Sequence, residues 1–249
     1  MKKLVLEVCV DSFESINIAK AAGADRIELC SALNIGGLTP SYGLMKQAKT
    51  VTGLEIFVMI RPRSGDFLYD EFEFQTMKED IKLVKELGFD GIVTGVLLSD
   101  GRIDLKRIKE LVELAYPLPV VFHRAFDRAK DPMQDMEALI DMGICRILTS
   151  GQRQTAIQGV DFIAKLQKTY GDKITIMPGS GIHHSNIRTL IERTGCTHYH
   201  LSGKVFVDSE MTYRGHRNTP FPEHEFVRQK TSFENIKKVR KILDSHMNS

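Results

Sequence analysis

Apolar residues recur along this chain with two alternating periods. Short runs rich in β-branched and aliphatic residues alternate from face to face. Each is followed by a stretch whose apolar positions return every three to four residues. The strand-like runs are LVLEVCV from Leu4, RIELC from Arg26, EIFVMIR from Glu55 and GIVTGVL from Gly91. They continue with PVVFHRAF from Pro119, RILTS from Arg146, ITIMPGS from Ile174 and HYHLSG from His198. Helix punctuation agrees with this reading. Asp11 with Glu14 makes a capping-box pattern, Thr39-Pro40 puts proline at a first helical position, and Thr231 with Glu234 repeats the box. Gly23, Gly88, Gly143 and Gly195 stand where helices should end. Eight strand–helix units predict a (β/α)8 TIM barrel, a single domain over residues 1–249, with its functional groups at the carboxyl ends of the strands. The rival, a doubly wound open sheet, lacks a GxGxxG at its first helix. Connections at about 62–74 and 204–230 exceed the usual length and point to a lid or to a homo-oligomer contact. A last helix is expected over about 232–245.

Composition narrows the partners. With 249 residues and 42% hydrophobic content the chain can bury a substantial core. A net charge of +2, with both signs interspersed, argues against nucleic acid and membrane surfaces. Lys2 and Lys3 precede an apolar run, but Glu7 interrupts it and no small-residue cleavage site follows, so a secretory leader is not expected. No apolar stretch approaches the ~18 residues needed to cross a bilayer. Cys9, Cys30, Cys145 and Cys196 are too few for a disulfide framework in a chain this long, and free thiols suit a reducing cytoplasm.

The strand ends hold the candidate chemistry. Glu-x-Cys occurs twice, as Glu7-Val8-Cys9 and Glu28-Leu29-Cys30. Alternation places Glu7 with Cys9, and Glu28 with Cys30, so pairing of the first two strands would converge two carboxylates and two thiols. The third strand ends in Arg61 and Arg63, and the fifth leads into His123, Arg124 and Asp127. His198, His200 and Ser202 share one face of the eighth, and Met59 and Met177 add thioethers. The last three strands lead into small residues. Ser150, Gly151, Gly179, Ser180, Gly181, Ser202 and Gly203 form a candidate anion cradle, because glycine lets backbone N–H groups approach and many barrels hold phosphate there.

Each feature also has a plain structural explanation. The small residues could be tight turns, and Glu7 and Glu28 could pair with Arg61 in a buried ionic network. The cysteines could be ordinary buried side chains and His123 a packed one. His198-x-His200 has no second set of ligand spacings, which argues against zinc. Two chemistries remain. Thiolates, thioethers and imidazoles favour Cu(I). Carboxylates, histidine and arginine over an anion cradle instead describe an acid–base enzyme acting on a phosphorylated or otherwise anionic small metabolite. In that enzyme Glu7, Glu28 and His123 would move protons, with Asp127 beside them and Arg61 holding the anion.

Several strings are specific enough to resemble a known family. LEVCVDS at 6–12, GADRIELCSAL at 23–33, GGLTPS at 36–41, MIRPR at 59–63, FHRAFD at 122–127, RILTSG at 146–151 and MPGSGI at 177–182 look like the CutC family, in order from residue 4 to residue 204. Strand eight ends HLSGK, so Gly203 and Lys204 stand where that pattern more usually has alanine and arginine. The resemblance implies a cytoplasmic barrel linked to copper homeostasis. It also implies Cu(I) bound by Cys9 and Cys30, to which Met59 or His123 could add a third donor.

Overall fold

The computed structural model describes residues 3–216, 219–220 and 222–247. Eight parallel strands form the interior: β1 (Val5–Val10), β2 (Arg26–Leu29), β3 (Glu55–Met59), β4 (Gly91–Thr94), β5 (Val120–Phe122), β6 (Ile144–Thr149), β7 (Thr175–Pro178) and β8 (His198–Leu201). Helices follow each in turn: α1 (Phe13–Ala22), α2 (Tyr42–Ala48), α3 (Glu71–Glu86), α4 (Leu105–Ala115), α5 (Met136–Asp141), α6 (Val160–Tyr170), α7 (Ile187–Thr194) and α8 (Phe233–Met247). The hydrogen-bonded order runs from β7 down through β1 to β8, and β7 lies beside β8. This is the nearly closed (β/α)8 barrel that the sequence pattern predicts.

Two apolar layers follow from the alternation of strand residues. Leu6, Val8 and Val10 face outward into the large core shared with the helices, as do Ile27 and Leu29 of β2. Their neighbours of opposite parity face inward. Cys30, Phe57, Met59, Val93, Val121, Leu148 and Met177 fill the barrel. Gly91 makes room for Phe57, since a Cβ there would lie 2.2 Å from the Phe57 ring. The register sets Glu7 beside Arg26 and His200, and Cys9 beside Glu28.

Helix starts differ in detail from the sequence expectation. Ser12, not Asp11, caps α1 by accepting from the Ser15 N–H at 3.2 Å. Ser41 caps α2, two residues past the start implied by Thr39-Pro40. At α8 the acceptor is Ser232, not Thr231, bonded by the Asn235 N–H at 3.3 Å. The reciprocal capping box lies at α3, where Asp70 and Glu73 bond each other's backbone N–H. Gly23 and Gly195 do end α1 and α7 in left-handed conformation, at φ 95° and 66°.

The connection after β8 is not a plain loop. Lys204–Asp208 pairs antiparallel with Val227–Thr231, forming a ribbon that leads back to α8. Among the described residues no helix is long and apolar enough to cross a membrane.

Candidate active site

One buried carboxylate organises the barrel interior. Glu7 accepts a hydrogen bond from Arg26 Nε through Oε2 and one from His200 Nδ1, at 2.8 Å, through Oε1. Burial alone would raise its carboxyl, but the His200 hydrogen bond and the charges of Arg26, His200 and Arg146 outweigh it. The net effect holds Glu7 below the usual carboxylate range. Burial alone would lower His200, yet Cys9, Glu28 and Glu7 raise it well above its ordinary value, which favours the imidazolium. Arg26 and Arg146 lie over the Phe57 ring, 5.3 and 4.3 Å from its centroid.

Above this layer a cavity of about 500 Å³ opens at the carboxyl ends of the strands. Glu28 and His200 form its floor with Cys9 and Met59; Arg61 and His123 flank them; Ser180, Gly181, Ser202, Gly203 and Lys204 contribute from the last two strands. Four of the lining side chains each carry a buried polar atom with no hydrogen-bond partner: Glu28 Oε2, Arg61 Nε, His123 Nε2 and Gln229 Oε1. Buried polar groups are nearly always paired, so four unpaired ones on residues lining a single cavity call for an explanation.

Glu28 is raised by burial first and by the Glu7 charge, against opposing effects of His200, the Cys30 hydrogen bond and Arg26. Its Oε1 accepts from the Cys30 thiol at 3.3 Å, which leaves Oε2 for a ligand. His123 is the opposite case. Its Nδ1 accepts from the Ala125 N–H at 3.1 Å, at the head of a short 3₁₀ turn, Arg124–Arg128. That fixes the neutral tautomer with hydrogen on Nε2. Burial, helped by Arg61 and Arg124, pushes its pKa down to about 3. Phe67 packs on the ring at 4.8 Å. On its other side lies Gly95, where a Cβ would come 2.6 Å from the imidazole.

The expected site residues separate into three groups. Glu28, Arg61 and His123 come together in the cavity with Ser180, Gly181, Ser202, Gly203 and Cys9. Glu7 and Cys30 lie one layer behind, both almost wholly buried, and neither lines the cavity. Asp127, Ser150, Gly151 and Gly179 lie outside it. The Asp127 carboxylate is saturated by Thr149 Oγ1, the Ser150 and Gln152 N–H groups and Arg124, so it clasps the turns after β5 and β6 together. The Ser150 and Gly151 N–H groups donate within this clasp, the second to Thr149 Oγ1. The Gly179 N–H continues the ladder to Thr149 O. These hydrogen bonds clasp the turns together away from the cavity.

The expected pairing of Glu7 and Glu28 with Arg61 is also corrected. Arg61 is held by the carbonyls of Ile35, Gly37 and Gly65, at 3.2, 2.9 and 2.9 Å, and stacks on Phe67. The partner of Glu7 is Arg26. Its parity in RIELC, the same as that of Glu28 and Cys30, already places it inside the barrel. His200 and Lys204 complete the site. The first was visible in His-x-His, but only the β1–β8 register shows that its partner is Glu7.

Ligand atoms of Glu7, Glu28 and His200 lie within 4.8 Å of one another. Both Glu7 oxygens are engaged and Arg26 adds a cation beside them, so this trio fits a metal ion poorly.

The chain matches the CutC family model over residues 4–205. It is 44% identical over 244 residues to a CutC family protein of Pasteurella multocida (strain Pm70), covering 97% of this chain and 99% of the relative. A copper homeostasis protein cutC homolog of Homo sapiens is 46% identical over 210 residues, 84% of this chain and 77% of that one. A crystal structure named for the copper homeostasis protein CutC of Streptococcus agalactiae aligns with TM-score 0.76 at 34% identity, covering 80% of this chain and 98% of the other. Thiamine phosphate pyrophosphorylase from Pyrococcus furiosus has TM-score 0.60 at 16% identity over 97% and 96% of the two chains, a likeness of fold alone.

Two outcomes follow from this geometry. Glu7→Leu strands Arg26 and His200 without their counter-charge and should cost about 3–5 kcal/mol in urea unfolding, much of it regained in Glu7→Leu/Arg26→Met. His123 stays neutral in the fold down to about pH 3, whereas the unfolded chain protonates it near 6.5. The unfolded state therefore binds more protons between those values. The His123 contribution is full above pH 6.5 and falls by roughly 1.4 kcal/mol per pH unit below it. Urea midpoints of His123→Gln should accordingly decline less steeply with acid than those of the wild type.

Proposed function

The chain belongs to the CutC family, and from that premise and the groups in its cavity we propose that it binds a small anionic metabolite and moves a proton on it. The observation that carries this reading is the set of unpaired buried atoms around one cavity, Glu28 Oε2, Arg61 Nε, His123 Nε2 and Gln229 Oε1. Charge supports it. Arg61, Lys204 and the imidazolium of His200 outnumber Glu28, whose own ionisation is opposed by burial. An anion is the ligand such a lining favours. Glu28 takes or returns the proton, His123 donates a hydrogen bond, and Ser180, Gly181, Ser202, Gly203 and Lys204 border the anionic end. Glu7 positions His200.

A second reading has its own observation. The human and mouse relatives carry copper homeostasis in their names, and Cys9, Met59 and His200 line the same cavity. The Glu7–His200 hydrogen bond is the kind of contact that orients a metal-bound histidine. Cu(I) would then be cargo, held by Cys9 with Met59 and His200. Cys30 fits less well, because burial and Glu28 push its thiol well up. His123 does not fit, because its Nε2 carries hydrogen. Four free thiols support a cytoplasmic setting. Exposed Val205, Phe206 and Tyr213 on and beside the ribbon support a homo-oligomer contact.

The first reading expects inorganic phosphate or a member of a panel of phosphorylated and carboxylated metabolites to raise Tm. The gain is ~2.7 kcal/mol at a hundredfold excess over Kd, and Lys204→Glu should remove most of it. A panel with no stabilising member overturns this reading. For copper, anaerobic Cu(I) titration against a chromogenic chelator should show affinity lost in Cys9→Ser and kept in Cys30→Ser. Equal affinity in wild type and Cys9→Ser removes the second reading.

A further inference from the structure

Resting on the anion-site reading, we propose that the cavity takes a small phosphorylated hydroxy-carbonyl compound and abstracts a proton from the carbon beside its carbonyl, with Glu28 as base and His123 as hydrogen-bond donor to the enolate oxygen. Three observations meet here. The Glu28 carboxyl has one oxygen bonded to the Cys30 thiol and the other, Oε2, without a partner. The His123 ring is fixed as an Nε2–H donor by the Ala125 N–H on Nδ1, and Nε2 has no acceptor. Arg61, 5% exposed and held by three backbone carbonyls, keeps Nε unpaired in the same lining.

One unpartnered carboxylate oxygen and two unpartnered N–H donors on residues lining one cavity match a carbon acid whose carbonyl oxygen becomes more basic as its proton leaves. Each donor already stands oriented, so no reorganisation accompanies the build-up of charge. A neutral imidazole suits the task better than an imidazolium, because it donates strongly without surrendering its proton to the carbonyl. Phosphate is assigned to the anionic end because Lys204 and Ser202 border the same cavity, whereas the Ser180 hydroxyl already donates to the Gln154 carbonyl. The step balances without a co-reactant. Glu28 Oε2 takes the proton and the C–H pair becomes the C=C bond. The carbonyl π pair moves onto oxygen, which accepts from His123 Nε2–H and Arg61 Nε–H. Return of a proton from Glu28 to the same carbon restores the carbonyl compound, with solvent hydrogen in place of the original once the Glu28 proton has exchanged.

The test uses the full chain with dihydroxyacetone phosphate, glycolaldehyde phosphate and ribulose 5-phosphate in D2O, following loss of carbon-bound hydrogen by proton NMR. The probe of the anion site itself is 2-phosphoglycolate, titrated by calorimetry. Exchange of at least one compound should fall about 10²–10⁴-fold in Glu28→Gln purified alongside. It should fall about 10²–10³-fold in His123→Gln. Binding of inorganic phosphate, which lacks the group that Glu28 and His123 would meet, should be retained in both. In wild type, ¹⁵N resonances of His123 should show the neutral Nε2–H tautomer and shift on addition of 2-phosphoglycolate, a readout that needs no variant to fold. Exchange no faster than in Glu28→Gln, with 2-phosphoglycolate still bound, overturns the enolisation and leaves the anion site standing. A His123 ring protonated on Nδ1 also overturns it. Absence of binding by both 2-phosphoglycolate and inorganic phosphate overturns the anion reading and this inference with it.

Discussion

The interior of this barrel depends on Glu7. A carboxylate taken out of water is costly unless it is both paired and hydrogen-bonded, and Glu7 meets both conditions with Arg26 on β2 and His200 on β8. Its two oxygens thereby tie three neighbouring strands through their side chains as well as their ladders. The same contact fixes the charge on His200 and its orientation toward the cavity. Its negative field also reaches Glu28 one layer above, where it adds to burial in discouraging ionisation. Remove the Glu7 charge and the cavity floor becomes a different electrostatic environment.

The two readings of the cavity, proton chemistry and copper binding, draw on different side chains, and hydrogen positions separate them. An imidazole that accepts at Nδ1 cannot offer a lone pair at Nε2, which makes His123 a donor to ligand oxygen. His200 is arranged the other way round, with Nδ1 engaged by a carboxylate and Nε2 facing the thiol side. The two histidines of the cavity thus differ at Nδ1: that of His123 accepts from the backbone, and that of His200 meets a carboxylate, the arrangement that orients a metal-bound histidine once Nε2 has given up its proton. Cys9 shares the cavity with His200, whereas Cys30 is bonded to Glu28 behind the lining.

The barrel was legible in the sequence because its cause is local. Period-two runs and helical periodicity repeat eight times, helix-ending glycines mark four of the repeats, and each repeat is legible without its neighbours. Parity alone put Glu7, Glu28, Cys9 and Cys30 inside. What parity leaves open is depth along the barrel axis and the partner across the sheet, which depend on register and on loops far away in sequence. Arg61 looked like the counter-charge for Glu7, but its guanidinium is drawn off by the carbonyls of Ile35, Gly37 and Gly65. Asp127 and Ser150 looked like site residues because they stand at strand ends. Their hydrogen-bonding capacity is consumed by each other, which spacing cannot reveal. The helix starts slipped by one or two residues for a similar reason, since adjacent Ser, Thr and Asp residues compete for the same orphan N–H groups.

Gly95 supplies a way to sort relatives of this protein. It faces the His123 ring so closely that a β-carbon would sit 2.6 Å from it and 2.9 Å from Ala125 Cβ, and both neighbours are locked in a packed interior. One methyl group therefore separates a barrel that can present this imidazole from one that must move it. A side chain at this position would have to displace the histidine from the place it holds in this barrel. The residue that carries no chemistry of its own thus fixes where the imidazole can stand.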